Sequence, residues 1–146
     1  MAEPEVTQPF VLVVLSKDAD AKVMQHTFDV LSSLQVVTET VRLDDADIDL
    51  SEYIQSRVCR GLGAVVFGAH YSYTDELYPT IAETTVSAIK VITGPVPATS
   101  AQIALSIPVA GFGVDGAIKA GLFAARVLAG IDPALAVRLR AFQPPS

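Results

Sequence analysis

Absences set the first limits on this chain. It carries a single cysteine, Cys59, so no internal disulfide can form. That thiol lies in a segment that reads as a helix, Ser51 to Arg60, where a buried structural role is expected. Cationic side chains are scarce: ten lysines and arginines against sixteen aspartates and glutamates leave a net charge of −6. A surface that grips duplex nucleic acid or an anionic membrane needs a basic patch to neutralise phosphates, so neither partner is expected. No apolar run reaches the ~18 residues of a membrane span. The opening MAEPEVTQPF has two glutamates and lacks the basic, apolar and small-residue succession of a secretory leader. The expected setting is the cytoplasm.

Several chemical signatures are missing too. The turn SKDAD, after the first apolar run, has none of the glycines of a dinucleotide fingerprint or a P-loop. There is no nucleophile elbow, no Ser–His–Asp order and no paired-cysteine metal pattern. The sequence calls for no cofactor and no metal, and the partner left open is a small-molecule ligand.

Against these absences stands a hydrophobic fraction of 51% in 146 residues. Without a membrane span, that surplus goes into one well-filled core or into surface covered by copies of the same chain. One domain over residues 10–142 is expected, with loose tails at 1–9 and 143–146. FVLVVL (Phe10 to Leu15) is a short, unalternating, β-branched run, the pattern of a strand buried on both faces of a parallel sheet. From Ala19 to Leu34, Met24, Phe28, Leu31 and Leu34 recur at helical spacing, widened by Val23 and Val30.

The alternation continues. VVTETVRL (Val36 to Leu43) reads as a second strand, LSEYIQSRVCRG as a helix stopping at Gly61, and GAVVFG (Gly63 to Gly68) as a third strand. TDELYPTIAETTV reads as a helix interrupted at Pro79, and AIKVITG (Ala88 to Gly94) as strand four. SIPVAGFG supplies a fifth apolar stretch, followed by a helix from Val114 to Ala129 and a shorter one in DPALAVRLRAF. Asp132 before Pro133 suits a helix start. Strands and helices alternating with short connections predict an α/β fold with a doubly wound, mostly parallel sheet and helices on both faces.

Ligands in such folds sit beyond the carboxyl ends of the strands. The first turn offers Ser16, Lys17, Asp18 and Asp20 at the start of a helix, where backbone N–H groups and the helix dipole favour an anion. Asp20 can equally cap the helix. After strand two, Arg42 and Asp44 open RLDDADID, with four aspartates in six residues. The spacing is not that of a calcium loop, and a solvated loop leading into a helix capped by Asp49, three residues before Glu52, is the plainer reading. After strand three come Gly68, Ala69, His70 and Tyr71. His70 stands where a general acid or base in this fold would stand, although a lone loop histidine is more often structural. His26, inside the first helix, reads as a helix-surface residue.

SKDADAKVMQHTFDVLSSL resembles the GSDSD…MQ…A…L…L opening of the aminoimidazole ribonucleotide carboxylase/mutase (PurE-like) family. IPVAGFGVDGAIKAGLFAARVLAGIDPALAVRLRAF resembles its closing strand, Ala-rich helix and last helix. The resemblance spans residues 10 to 142. It implies a flavodoxin-like three-layer sandwich, a homo-octamer with sites shared between neighbours, a nucleotide-like ligand, and transfer of a carboxylate to or from an aminoimidazole ribonucleotide. The positions that match the family's functional residues differ here. Ser16, Lys17 and Ala19 replace a glycine and two serines of the first turn, while Asp18 and Asp20 are kept. Asp44, Asp45 and Asp47 stand where a histidine, an arginine and a proline are expected, which reverses the local charge. Three readings follow. The first is a divergent member doing carboxylation, decarboxylation or related proton transfer on another small molecule, with His70, Lys17 or Lys119 in new roles. The others are a non-catalytic relative serving assembly or ligand binding, and a genuine purine-pathway enzyme.

Overall fold

The computed structural model describes residues 8–16, 19–43, 49–69, 86–93 and 109–142. Its centre is β1 (Phe10–Leu15), buried at every position, as the unalternating run predicts. It pairs in parallel with β2 (Val37–Arg42) on one side and β3 (Leu62–Ala69) on the other. β4 (Ser87–Ile92) and β5 (Val109–Phe112) extend the sheet beyond β3, again in parallel, giving the order β2-β1-β3-β4-β5. Parallel neighbours need crossover connections: α1 (Ala21–Ser33) leads from β1 to β2 and α2 (Leu50–Val58) from β2 to β3, while α3 (Gly113–Ala129) and α4 (Pro133–Ala141) follow β5. The architecture is the doubly wound, flavodoxin-like three-layer sandwich that the alternation and the resemblance predict. The helix expected across TDELYPTIAETTV lies outside the described residues, apart from Val86.

The odd and even residues of β1 feed different cores, because successive side chains of a strand point to opposite faces. Val11, Val13 and Leu15 join Val66 and Val91 beneath α1 and α3. Leu12 and Val14 join Val65 and Phe67 against Leu50 and Ile54 of α2.

The first of these layers is closed by small residues. Ala117, Ala120 and Ala124 of α3 are fully buried, and a Cβ on Gly121 would come within 3.0 Å of Val30 on α1. This close approach corrects the expected stripe of α1. Met24, Val30, Leu31 and Leu34 are buried, but Thr27 replaces Phe28 at the centre of the contact. The Thr27 hydroxyl donates to the Ala117 carbonyl at 2.7 Å, which removes the cost of burying it. Phe28 is left half-buried at the rim.

Three aspartates start three helices. Asp20 accepts from the N–H groups of Lys22 and Val23, Asp49 from Glu52 at 3.1 Å, and Asp132 from Leu135 at 3.2 Å. Asp49 and Asp132 hold the places their spacing predicts. The far end of α1 is finished by a distant residue: Arg138 Nε, on α4, donates to the Leu34 carbonyl at 2.8 Å.

Cys59 departs from expectation. It is exposed, because α2 buries only the face carrying Leu50 and Ile54. Five residues beyond Ile54 the helix has turned ~140° away from that face.

β5 passes into α3 across a tight contact in which a Cβ on Gly116 would overlap the Gly111 carbonyl. Gly116→Ala is therefore expected to lower stability by about 1–3 kcal/mol, read by chemical denaturation. Asp20→Ala, which removes the α1 cap, is expected to cost about 1 kcal/mol, with faster amide exchange confined to the first turn of α1.

Candidate functional site

With the strand order reversing between β1 and β3, the crevice of this fold opens beyond their carboxyl ends. Register sets what meets there. Leu15, the last residue of β1, is level with Arg42 on β2 and Gly68 on β3. Ser16 follows at once, 2% exposed, its N–H donating to the Gly68 carbonyl at 3.0 Å. On the other side, Leu43 N–H donates to the Leu15 carbonyl at 2.9 Å. Ser16, Arg42, Gly68 and Ala69 are thus brought to one edge of the sheet. Asp20 joins them at the start of α1.

Ser16, Ala19 and Asp20 are tied together and to β4. Ala19 N–H donates back to the Ser16 carbonyl at 3.1 Å, and Asp20 N–H donates to the Thr93 hydroxyl at 3.1 Å. Asp20 Oδ1 takes the N–H groups of Lys22 at 2.9 Å and Val23 at 3.3 Å. Asp20 therefore caps the helix, and its carboxylate occupies those two first-turn donors. The anion site that the helix start suggests is accordingly altered. A negative group here meets a carboxylate at the helix N-terminus, and its attraction must come from side chains such as Ser16 and Arg42.

Gly68 has a packing reason as well as a place at the edge. A Cβ there would lie 2.7 Å from Met24 Sδ, so the strand end and α1 are in direct contact through this glycine. Lys119 lies in the second turn of α3, ion-paired with Asp115 at 2.9 Å, with 61% of its side chain exposed. Lys17, Asp18, Asp44, His70 and Tyr71 lie outside the described residues.

Two residues at this end of β4 escaped the sequence reading. Thr93 follows the strand, and its N–H donates to the Ala69 carbonyl at 3.0 Å while its hydroxyl holds Asp20. Lys90 is 1% exposed and lies level with Phe67, on the sheet face that also carries α2. Burying a lysine is costly unless its amine is engaged, and Lys90 does make an interaction within the protein. The signal for Lys90 was available: a lysine inside the apolar run AIKVITG does not belong in a strand covered on both faces. Thr93 gave no such signal, since its partner lies 73 residues away.

A second polar cluster fastens α2 to the sheet edge. Arg57 Nε lies 3.1 Å from Glu39 Oε1 without an aligned hydrogen bond, and the guanidinium sits 4.8 Å above the Tyr53 ring. The Tyr53 hydroxyl lies 3.3 Å from Arg57 and 3.4 Å from Glu39. The hydrogen bond with Tyr53, opposed by lost hydration and aided by Glu39, holds Arg57 above its ordinary pKa. Glu39 is level with Leu12 in the middle of β1, so this cluster belongs to the α2 layer and not to the carboxyl edge. An open hollow of about 610 Å³ between α1 and β2 is lined by Gln25, Asp29, Ser32, Gln35 and Thr38 around Phe28. Among the described residues, no group of three or more His, Cys, Asp and Glu side chains is placed to hold a metal ion. No described helix is long and apolar enough to cross a membrane.

No protein-family model matches the chain. The chain is similar to the N5-carboxyaminoimidazole ribonucleotide mutase of Mycobacterium leprae, with 29% identity over 148 aligned residues that take in 93% of this chain and 84% of that protein. A distant likeness running through nearly the whole chain, on a sheet of flavodoxin-like order, supports the resemblance to the aminoimidazole ribonucleotide carboxylase/mutase family.

Proposed function

We propose that this protein binds a small phosphorylated or carboxylated, nucleotide-like molecule beyond the carboxyl ends of β1 and β3. On that molecule it carries out carboxylation, decarboxylation or a related proton transfer. The observation that carries this reading is the convergence of Ser16, Asp20, Arg42, Gly68 and Ala69 at the switch point of the sheet. The similarity to a mutase that handles a carboxylated aminoimidazole ribonucleotide supports the class of chemistry. In this role Ser16 donates from its hydroxyl, Arg42 and Lys17 supply positive charge, and Asp20 accepts from a sugar hydroxyl through its carboxylate. Decarboxylation breaks a carbon–carboxylate bond, releases CO2 and leaves the electron pair on the carbon. That carbon then needs a proton, and His70 is the residue given this task.

The reading includes a homo-octamer. Phe112, Val114, Ile131 and Val137 are between 44% and 70% exposed, and so much apolar side chain in water favours burial against further copies.

Titration of the full chain with ribose 5-phosphate, followed by amide chemical shifts, tests the binding half. Shifts at Ser16, Asp20 and Gly68 are expected, and Arg42→Ala should weaken binding roughly 10-fold, the scale of one charge-assisted contact. Absence of shifts at all three positions overturns the proposed site. Light scattering on the purified chain tests the assembly: eight copies are expected, and a monomer counts against it.

A further inference from the structure

The contacts at the carboxyl edge form a closed circuit. Ser16 N–H reaches the Gly68 carbonyl; the adjacent Ala69 carbonyl takes Thr93 N–H; the Thr93 hydroxyl takes Asp20 N–H; and Ala19 N–H returns to the Ser16 carbonyl. The only covalent steps in the circuit are Gly68 to Ala69 and Ala19 to Asp20. It therefore joins the ends of β1, β3 and β4 to the start of α1. Every link except one is backbone to backbone. The exception is the Thr93 hydroxyl, which makes it the link that a single substitution can remove.

We propose that Thr93 is a positioning residue of this site, fixing Ala19 and Asp20 at the start of α1 against β3 and β4 so that this edge presents a preformed surface to a phosphorylated ligand. The proposal rests on the functional reading given above. Three properties suit threonine to the task. Its backbone is anchored by the bond to Ala69, so the hydroxyl starts from a fixed point. Its β-branch limits χ1 to few rotamers. A hydroxyl accepts and donates at once, so taking Asp20 N–H leaves its own proton for another acceptor. Asp20 N–H precedes the first helical turn and has no acceptor within α1. Without the Thr93 hydroxyl that exposed donor turns to water, and the start of α1 loses its link to β4. A turn held before binding avoids the ordering cost that a loose turn meets on binding.

Thr93→Val keeps the shape and removes the acceptor, while Thr93→Ser keeps the hydroxyl. Amide exchange of the unliganded full chain reads the tether directly. Exchange at Asp20 should be at least 10-fold faster in Thr93→Val and close to wild type in Thr93→Ser; equal protection of Asp20 in all three chains overturns the proposal. Titration with ribose 5-phosphate reads the consequence. A roughly 10-fold weaker Kd is expected for Thr93→Val, with rescue in Thr93→Ser and a thermal midpoint little changed. Equal affinity of Thr93→Val and wild type overturns the positioning role. No binding by the wild-type chain overturns the functional reading and, with it, the ligand half of this proposal, while the exchange comparison still decides the tether.

Discussion

β1 is paired on both sides and covered on both faces, and the rest of the molecule follows from satisfying that one strand. A run of six apolar residues leaves no face for water, so two helical layers are needed, and parallel neighbours leave its backbone groups answered only by strands that arrive through crossovers. With β2 and β3 on opposite sides of it, the strand order reverses at β1, and α1 and α2 cover different faces of the sheet. The candidate site therefore stands at the end of a strand buried at every position.

That burial could be read in the sequence, and some other features could not. FVLVVL was legible because burial on both faces removes the alternation that marks a half-exposed strand. Asp49 and Asp132 were legible because a cap and the N–H it serves lie within three residues of one another. Phe28 was assigned to the core and Thr27 took its place, since the deciding partner, the Ala117 carbonyl, stands 90 residues away. Cys59 was assigned to the interior because periodicity marks a helix without fixing how far its buried face extends. Of the edge residues, Ser16, Asp20, Arg42, Gly68 and Ala69 follow from a positional rule about strand ends. Thr93 needed the fold, since only the sheet order brings β4 beside the start of α1.

In sequence, the charge pattern sets the chain apart from the family it resembles. Asp20, which caps α1, is a position the chain keeps, whereas Asp44, Asp45 and Asp47 stand where the resemblance implies a histidine, an arginine and a proline.

Arg138 closing the end of α1 has a further consequence in time. The first third of the chain leaves the ribosome with its central strand and first helix complete in sequence, yet the surface against which α1 packs lies in α3, and the residue that answers its last turn comes from α4. Contacts between segments so far apart are slow to form, and until they form, the layer that α1 builds on β1 lacks the α3 residues that complete it. Newly made chains must therefore keep their most apolar segment from meeting other chains until the last helix has been synthesised.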